Sequence, residues 1–226
     1  MMVFSSEQIQ KNIKEILSEL PQGVILEVAA KHRTPEEISA AIDAGVNFIG
    51  ENYVQEAVTA HSIIGHRAEW HFIGHLQKNK ARKAVQIFDM LETIDSSEIA
   101  QVVSRIAGET GKTMPVLVEI NSGYEEQKTG VAPECAEELI KAISRLENIK
   151  VMGLMTMGPR FGDPGKARPY FRVTRQLFDH LKQSNIENVE MRFLSMGMSG
   201  TYRVAIEEGA NIVRIGTRIF GPRNDR

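Results

Sequence analysis

The chain has a single cysteine, Cys135, among its 226 residues, which excludes an internal disulfide and any zinc site built from several thiolates. It has no surplus of positive charge either. With 27 Lys and Arg against 29 Asp and Glu, the net charge is −2. Broad nucleic-acid binding driven by counterion release is therefore excluded, and any basic site must be local. No apolar run approaches the roughly twenty residues of a membrane span, and no segment reads as a signal peptide. The expectation is a cytoplasmic monomer with neither a membrane nor a nucleic-acid partner. Several motifs are missing too. No Gly-x-Gly-x-x-Gly turn follows the first strand, and no Gly-x-Ser-x-Gly elbow surrounds Ser195, which disfavours hydrolase chemistry. His71 and His75 are four apart but fall where a strand passes into a turn. They would not share a face as metalloprotease histidines do, and with Glu51 and His61 they make no convincing metal site.

What the chain does have is a regular alternation. Residues 5–20 place Ile9, Ile13, Ile16, Leu17 and Leu20 at helical spacing, with Ser5 or Ser6 as a cap and Pro21, Gln22 and Gly23 as a stop. Strands are expected at 24–30, 48–50, 70–73, 90–94, 115–120, 151–156, 192–196 and 212–215. Helices separate them at 35–44, 53–64, 78–86, 96–108, 133–146, 166–183 and 199–208. Thr34 followed by Pro35, Glu36 and Glu37 reads as a helix start, with proline at the first position and acids in the first turn. Strands alternating with helices at this spacing imply a parallel sheet, and eight units imply closure. The expected fold is α/β: a single-domain (β/α)8 TIM barrel over residues 1–226 with an extra N-terminal helix.

In such a barrel the C-terminal strand ends form the site. Here they carry Lys31, Asn52, His71 with His75, Asn121, Met155, Ser195 and Arg214. Lys31 is either a surface lysine opening a loop or an amine placed to form a Schiff base with an aldehyde. Residues 195–200 read as a small-residue turn after strand seven, and Gly216 with Thr217 ends strand eight. These are the two adjacent loops on which such barrels bind phosphate. Arg214 interrupts an apolar strand and needs a partner. Glu27 shares strand parity with Lys31, which puts a carboxylate inside the lower barrel. Cys135 is expected to be a half-buried packing residue. Lys78, Lys80, Arg82 and Lys83, and again Arg160, Lys166, Arg168, Arg172 and Arg175, read either as solvated faces or as a landing zone for an anionic partner. The loop at 158–165 is rich in glycine and proline, and mobility is expected there.

Together, segments 28–31, 48–56, 70–77 with Asn79 and Lys80, 153–155, 194–199 and 213–217 with 219–221 resemble the pyridoxal phosphate homeostasis protein family, whose fold is like the barrel domain of alanine racemase. The resemblance implies pyridoxal 5'-phosphate as cofactor, held as a Schiff base on Lys31. It places Ser195, Gly216 and Thr217 on the phosphate, Arg214 at the pyridine nitrogen, and Asn52 and Met155 in the pocket wall. One departure is Ala30, where the family usually has serine. The implied role is vitamin B6 homeostasis without established catalysis, with no catalytic residue assigned. An arginine at the ring nitrogen disfavours its protonation and makes the ring a poor electron sink. The alternative is a racemase-type enzyme acting on amino acids, which needs a second base that in racemases is a tyrosine from a separate domain. Tyr53, Tyr124, Tyr170 and Tyr202 are the tyrosines present. A further reading has the basic faces dock on apo-enzymes that use the cofactor.

Overall fold

The apolar, β-branched runs become strands β1 (Ile25–Ala29), β2 (Phe48–Glu51), β3 (Glu69–Phe72), β4 (Met90–Ile94), β5 (Met114–Glu119), β6 (Ile149–Thr156), β7 (Val189–Met198) and β8 (Ile212–Ile215). The structure is a computed structural model that describes residues 4–125, 127–158 and 163–222. Each strand pairs in parallel with the next. Pairing of β1 with β8, from Ile25 opposite Ile212 to Val28 opposite Ile215, closes the barrel in sequence order. The expected eight-stranded barrel is the fold observed.

The helices are α1 (Ser6–Glu19), α2 (Pro35–Asp43), α3 (Val54–Ile64), α4 (Ala81–Ile87), α5 (Ser97–Glu109), α6 (Ala136–Ile143), α7 (Arg168–Gln183), α8 (Tyr202–Glu207) and α9 (Thr217–Phe220). Ser5 caps α1 by accepting from the Gln8 amide at 3.3 Å, and α1 buries Ile9, Ile13 and Ile16. Asn12 on the same helix donates to the Ile219 carbonyl at 2.9 Å, tying the extra N-terminal helix to the end of the barrel. Thr34 and Glu37 form a reciprocal capping box with Pro35 in the first turn of α2.

Strand alternation sorts the side chains into two cores. Val28, Ile49, Trp70, Leu91, Val116, Leu154 and Val213 face the helices, and burying each is worth roughly 1.5–3 kcal/mol. Met90, Leu117, Met152, Met155 and Ile212 fill part of the barrel interior. Met152 and Met155 join the same cluster despite their odd spacing because the β5–β6 register shifts near Gly153. Gly153 has φ 147°, and a Cβ there would come within 1.8 Å of the Phe193 carbonyl oxygen. Glycine permits the bulge.

Three expectations need correcting. Strand seven does not stop at Met196 but continues to Met198, so Ser195 lies within the strand rather than in a turn. Gly216 and Thr217 do not form an isolated turn, since Thr217 opens the short helix α9. Cys135 is exposed. It sits in the 3-10 turn Pro133–Cys135 that precedes α6, while Ala136, Leu139, Ile140 and Ile143 take the buried face. Other 3-10 turns, Lys78–Lys80 and Pro164–Ala167, open the segments expected as continuous helix before α4 and α7. Residues 159–162 of the 158–165 loop, and with them Arg160, lie outside the described residues. No helix among the described residues is long and apolar enough to cross a membrane.

Candidate functional site

Lys31 leaves the end of β1 half-buried, its Nζ 4.9 Å from the centroid of the Tyr53 ring. The loop that presents it is held from α3. The Glu56 carboxylate accepts from the His32 amide at 2.8 Å and pairs with His32 Nδ1 at 2.8 Å, while the His32 ring stacks on Tyr53. His32 adopts a left-handed backbone, φ 61°, a conformation that persists in a non-glycine residue only when its surroundings hold it. Asn52, half-buried at the end of β2, donates to the Ile73 carbonyl at 3.4 Å and shares with Lys31 a cleft of about 390 Å³.

Across the β1–β8 pairing, the end of β8 lies beside the end of β1. A Cβ on Gly216 would stand 3.0 Å from the Ala29 carbonyl oxygen, so this position packs directly against the strand that carries Lys31. Two amides converge here. Gly216 N and Arg218 N both donate to Ser199 Oγ, at 3.2 and 3.4 Å. The hydroxyl that these amides meet is that of Ser199; Ser195, four residues earlier, lies inside β7, which is longer than its apolar run indicates. Thr217 is exposed at the same corner. Gly216, Thr217 and Ser199 form a cradle of amides and hydroxyls fit for an anion.

Ser195 lies deeper. Its hydroxyl, fully buried, donates to Glu92 Oε2 at 2.7 Å and accepts from Arg214 Nη1. Arg214, 3% exposed, also donates to the Thr156 carbonyl at 2.8 Å and stands 4.0 Å from Glu92. This carboxylate is the partner that an arginine in an apolar strand requires. Glu92 Oε1 in turn accepts from His71 Nδ1 at 3.0 Å, and the same nitrogen lies 2.7 Å from Glu27 Oε1. Glu27 and His71 meet because Gly50 lies between them. Gly50 pairs with His71 in the β2–β3 register, and a Cβ there would come within 2.9 Å of the Glu27 carboxylate.

The charges inside the barrel balance. Burial alone would keep His71 neutral, but the two carboxylates outweigh it and push its pKa up to about 10. Burial and repulsion from Glu92 push Glu27 up to about 7. Burial also acts on Glu92, yet hydrogen bonding and charge from His71, with Arg214 and Ser195, hold it below the usual carboxylate range. One oxygen of Glu27 has no hydrogen-bond partner among the described residues. Glu27, His71 and Glu92 also have the composition of a metal site, with one atom from each lying within 4.8 Å of the others. Their 2.7 and 3.0 Å separations fit a shared proton; tetrahedral zinc bonded at about 2.0–2.1 Å holds its ligand atoms roughly 3.4 Å apart.

Met155 is fully buried in the inner apolar cluster. His71 is buried as well, whereas His75 stands 57% exposed beside the cleft, 3.9 Å from Asp95. Most of the second basic cluster is neutralised. Arg168 pairs with Glu207 and Glu208, Arg172 with Glu208, and Arg175 with Asp179.

Residues 4–224 match the family described as the alanine racemase N-terminal domain. Two relatives, from Aquifex aeolicus and Vibrio alginolyticus, are both named pyridoxal phosphate homeostasis protein. They are 42% and 38% identical, covering 86% and 96% of this chain and 85% and 98% of their own lengths. The solved structure of PipY from Synechococcus elongatus with PLP bound is 31% identical and superposes with a TM-score of 0.86, covering 94% of this chain and all of PipY. Alanine racemase of Clostridium difficile, at 18% identity and a TM-score of 0.83, covers 97% of this chain but 58% of the racemase, a likeness of fold alone. The chain belongs to the pyridoxal phosphate homeostasis protein family, built on the barrel of the alanine racemase N-terminal domain.

Proposed function

We propose that this protein binds pyridoxal 5'-phosphate through Lys31 and serves as a carrier or reservoir of the cofactor rather than as a catalyst. One observation carries the reading: the Lys31 amine at the end of β1 stands beside the Ser199, Gly216 and Thr217 corner at the ends of β7 and β8, with the Arg214 guanidinium of β8 held in the barrel interior. These residues fit the group. An amine meets an aldehyde, amides and hydroxyls meet a phosphate, and a guanidinium meets a ring nitrogen acceptor. The relatives' shared name and the PLP-bound PipY structure support the same reading. When bound, the cofactor supplies an aldehyde carbon for condensation with an amine and a ring able to delocalise charge.

In this reading Lys31 would fix the cofactor covalently, and the Ser199 and Thr217 hydroxyls beside Gly216 would anchor its phosphate. The Arg214 guanidinium presents only donors, so it would keep the ring nitrogen in its acceptor form. Asn52 and the Tyr53 ring border the Lys31 amine. A racemase reading needs a second base on the face opposite Lys31. Of the four tyrosines, the Tyr53 ring centroid lies 4.9 Å from Lys31 Nζ, Tyr124 hydrogen-bonds Glu134 and Tyr202 hydrogen-bonds Glu19; for these three the carrier is favoured.

The test is the visible absorption of purified protein. Added pyridoxal phosphate should give a visible band that borohydride abolishes while fixing the cofactor to the peptide containing Lys31. Lys31→Ala should stay colourless. A wild-type protein that stays colourless would overturn the reading.

A further inference from the structure

The cleft beside Lys31 extends away from the phosphate cradle. Barrel order places β1 between β8 and β2, and the cleft lies on the β2–β3 side, floored by Phe72 and bordered by Tyr53, Gln77 and Lys80. Of its lining residues only Lys31 and Asn52 belong to the proposed cofactor set. Its volume of about 390 Å³ lies within the range of small-molecule sites.

The lining selects charge and size. Lys80, half-buried, has no ion-pair partner among the described residues, and Lys31 is likewise unpaired. Two cations thus share a small concave space. The eleven-residue helix α3 begins in the wall, and no side chain caps its first amides. Val54 and Gln55 of that first turn line the cleft, adding donors and positive potential to the two lysines. The nearby acids do little to offset this. Glu56 is engaged by His32, and Asp95 faces His75 at 3.9 Å. Burial raises the pKa of Glu51, at the end of β2, to about 8, which keeps it largely neutral at pH 7. The apolar wall, Phe72 with the Tyr53 ring, leaves room for a short aliphatic group.

We infer that this cleft is a second ligand site, taking the carboxylate of a small amino acid or 2-oxo acid on Lys80, with the rest of the ligand directed at Lys31. The inference rests on the reading of Lys31 as the cofactor lysine, because that is what makes a site beside its amine useful. An occupant would stand next to the one primary amine that holds the cofactor, and its presence would register retention or release.

Saturation-transfer NMR on the apo-protein and on protein loaded with pyridoxal phosphate tests this, using pyruvate, L-alanine and L-alaninamide as probes and inorganic phosphate as a competitor against them. Pyruvate and L-alanine should bind both forms. L-Alaninamide, which lacks the carboxylate, should bind about tenfold more weakly or worse, as should both carboxylates to Lys80→Ala. Lys80→Arg should restore binding. Comparing pyruvate with L-alanine tells whether the oxo or the amino acid is preferred. Unchanged carboxylate binding by Lys80→Ala, equal binding of alaninamide, or preferential binding of phosphate would each overturn the inference. So would loss of the visible cofactor band in Lys80→Ala, which would make Lys80 a cofactor residue. Failure of the underlying reading shows separately, as a wild-type protein without the band whose apo-form still binds carboxylates through Lys80.

Discussion

Glu92 and Arg214 lie 4.0 Å apart across the barrel interior, bridged by the Ser195 hydroxyl. Neither charge reaches solvent, so each depends on the other. Glu92→Gln keeps the shape and a hydrogen bond to Ser195 but leaves Arg214 and protonated His71 with Glu27 as the remaining carboxylate in the network. Removing one partner of a buried pair typically costs about 3–5 kcal/mol. Urea unfolding of the apo-protein should show a midpoint lowered accordingly with an unchanged slope. A shift under about 1 kcal/mol would mean that water compensates these charges.

Glu51 offers a pH test of the opposite kind. Both its oxygens are buried without a hydrogen-bond partner among the described residues, and its pKa is pushed up to about 8, chiefly by burial and then by Glu56. Between the ordinary carboxylate value and 8 the folded chain keeps a proton that the unfolded chain has released. Stability therefore falls as pH rises through that window. Glu27 and Glu119, both raised to about 7, add slopes of the same sign, so the informative quantity is the difference between wild type and Glu51→Gln. The variant should match wild type near pH 4 and be more stable at pH 9, by on the order of 2–4 kcal/mol. Parallel stability curves from pH 4 to 9 would refute the assignment.

The barrel was legible because each strand is a compact apolar run closed by polar or glycine turns, and strand parity alone put Glu27 inside. Its partner was not legible. Glu27 meets His71 across two strands through the space that Gly50 leaves, a relation set by sheet register rather than by local pattern. The resemblance and the small-residue turn place Ser195 at the phosphate loop, whereas its hydroxyl is buried between Glu92 and Arg214. Parity counting cannot see the register shift between Ser195 and Met198 against β8, nor that Gly197, at φ 88°, packs where a Cβ would come within 2.6 Å of the Ala205 Cβ. Ser199, the second hydroxyl of the same segment, is the one that meets the Gly216 and Arg218 amides. Lys31 and Asn52 are legible as strand-end residues that border one cleft, a placement that a one-residue error changes little.

The cradle assignment separates the two serines. Ser199→Ala should weaken pyridoxal phosphate binding by roughly tenfold to a hundredfold, the 1.5–3 kcal/mol of one hydrogen bond to a charged group, with Thr217→Val in the same range or smaller. Pyridoxal, which lacks the phosphate, should bind wild type and both variants about equally. Titrations followed by absorbance and fluorescence read both ligands. A wild-type preference for pyridoxal over either variant would mean that the altered residue acts elsewhere in the pocket.

Arg214 tests the claim that the protein carries its cofactor without using it. Its guanidinium is fixed by Thr156, Ser195 and Glu92; under the proposed function it would have only protons to offer the ring nitrogen, and the ring would stay a weak acceptor of charge from a bound amino acid. Arg214→Glu would supply an acceptor for a protonated nitrogen, but it would also bring a carboxylate near Glu92 and leave His71 as the positive member of the network. Stability should fall by about 3–5 kcal/mol, cofactor retention should weaken, and the visible band should move. Against that loss, slow exchange of the alanine α-proton should emerge where wild type shows none. Proton NMR of L-alanine in deuterium oxide, with each protein loaded and the free cofactor removed, measures it directly. Rapid exchange in wild type that Arg214→Glu abolishes would make the protein an enzyme and Arg214 part of its catalytic machinery.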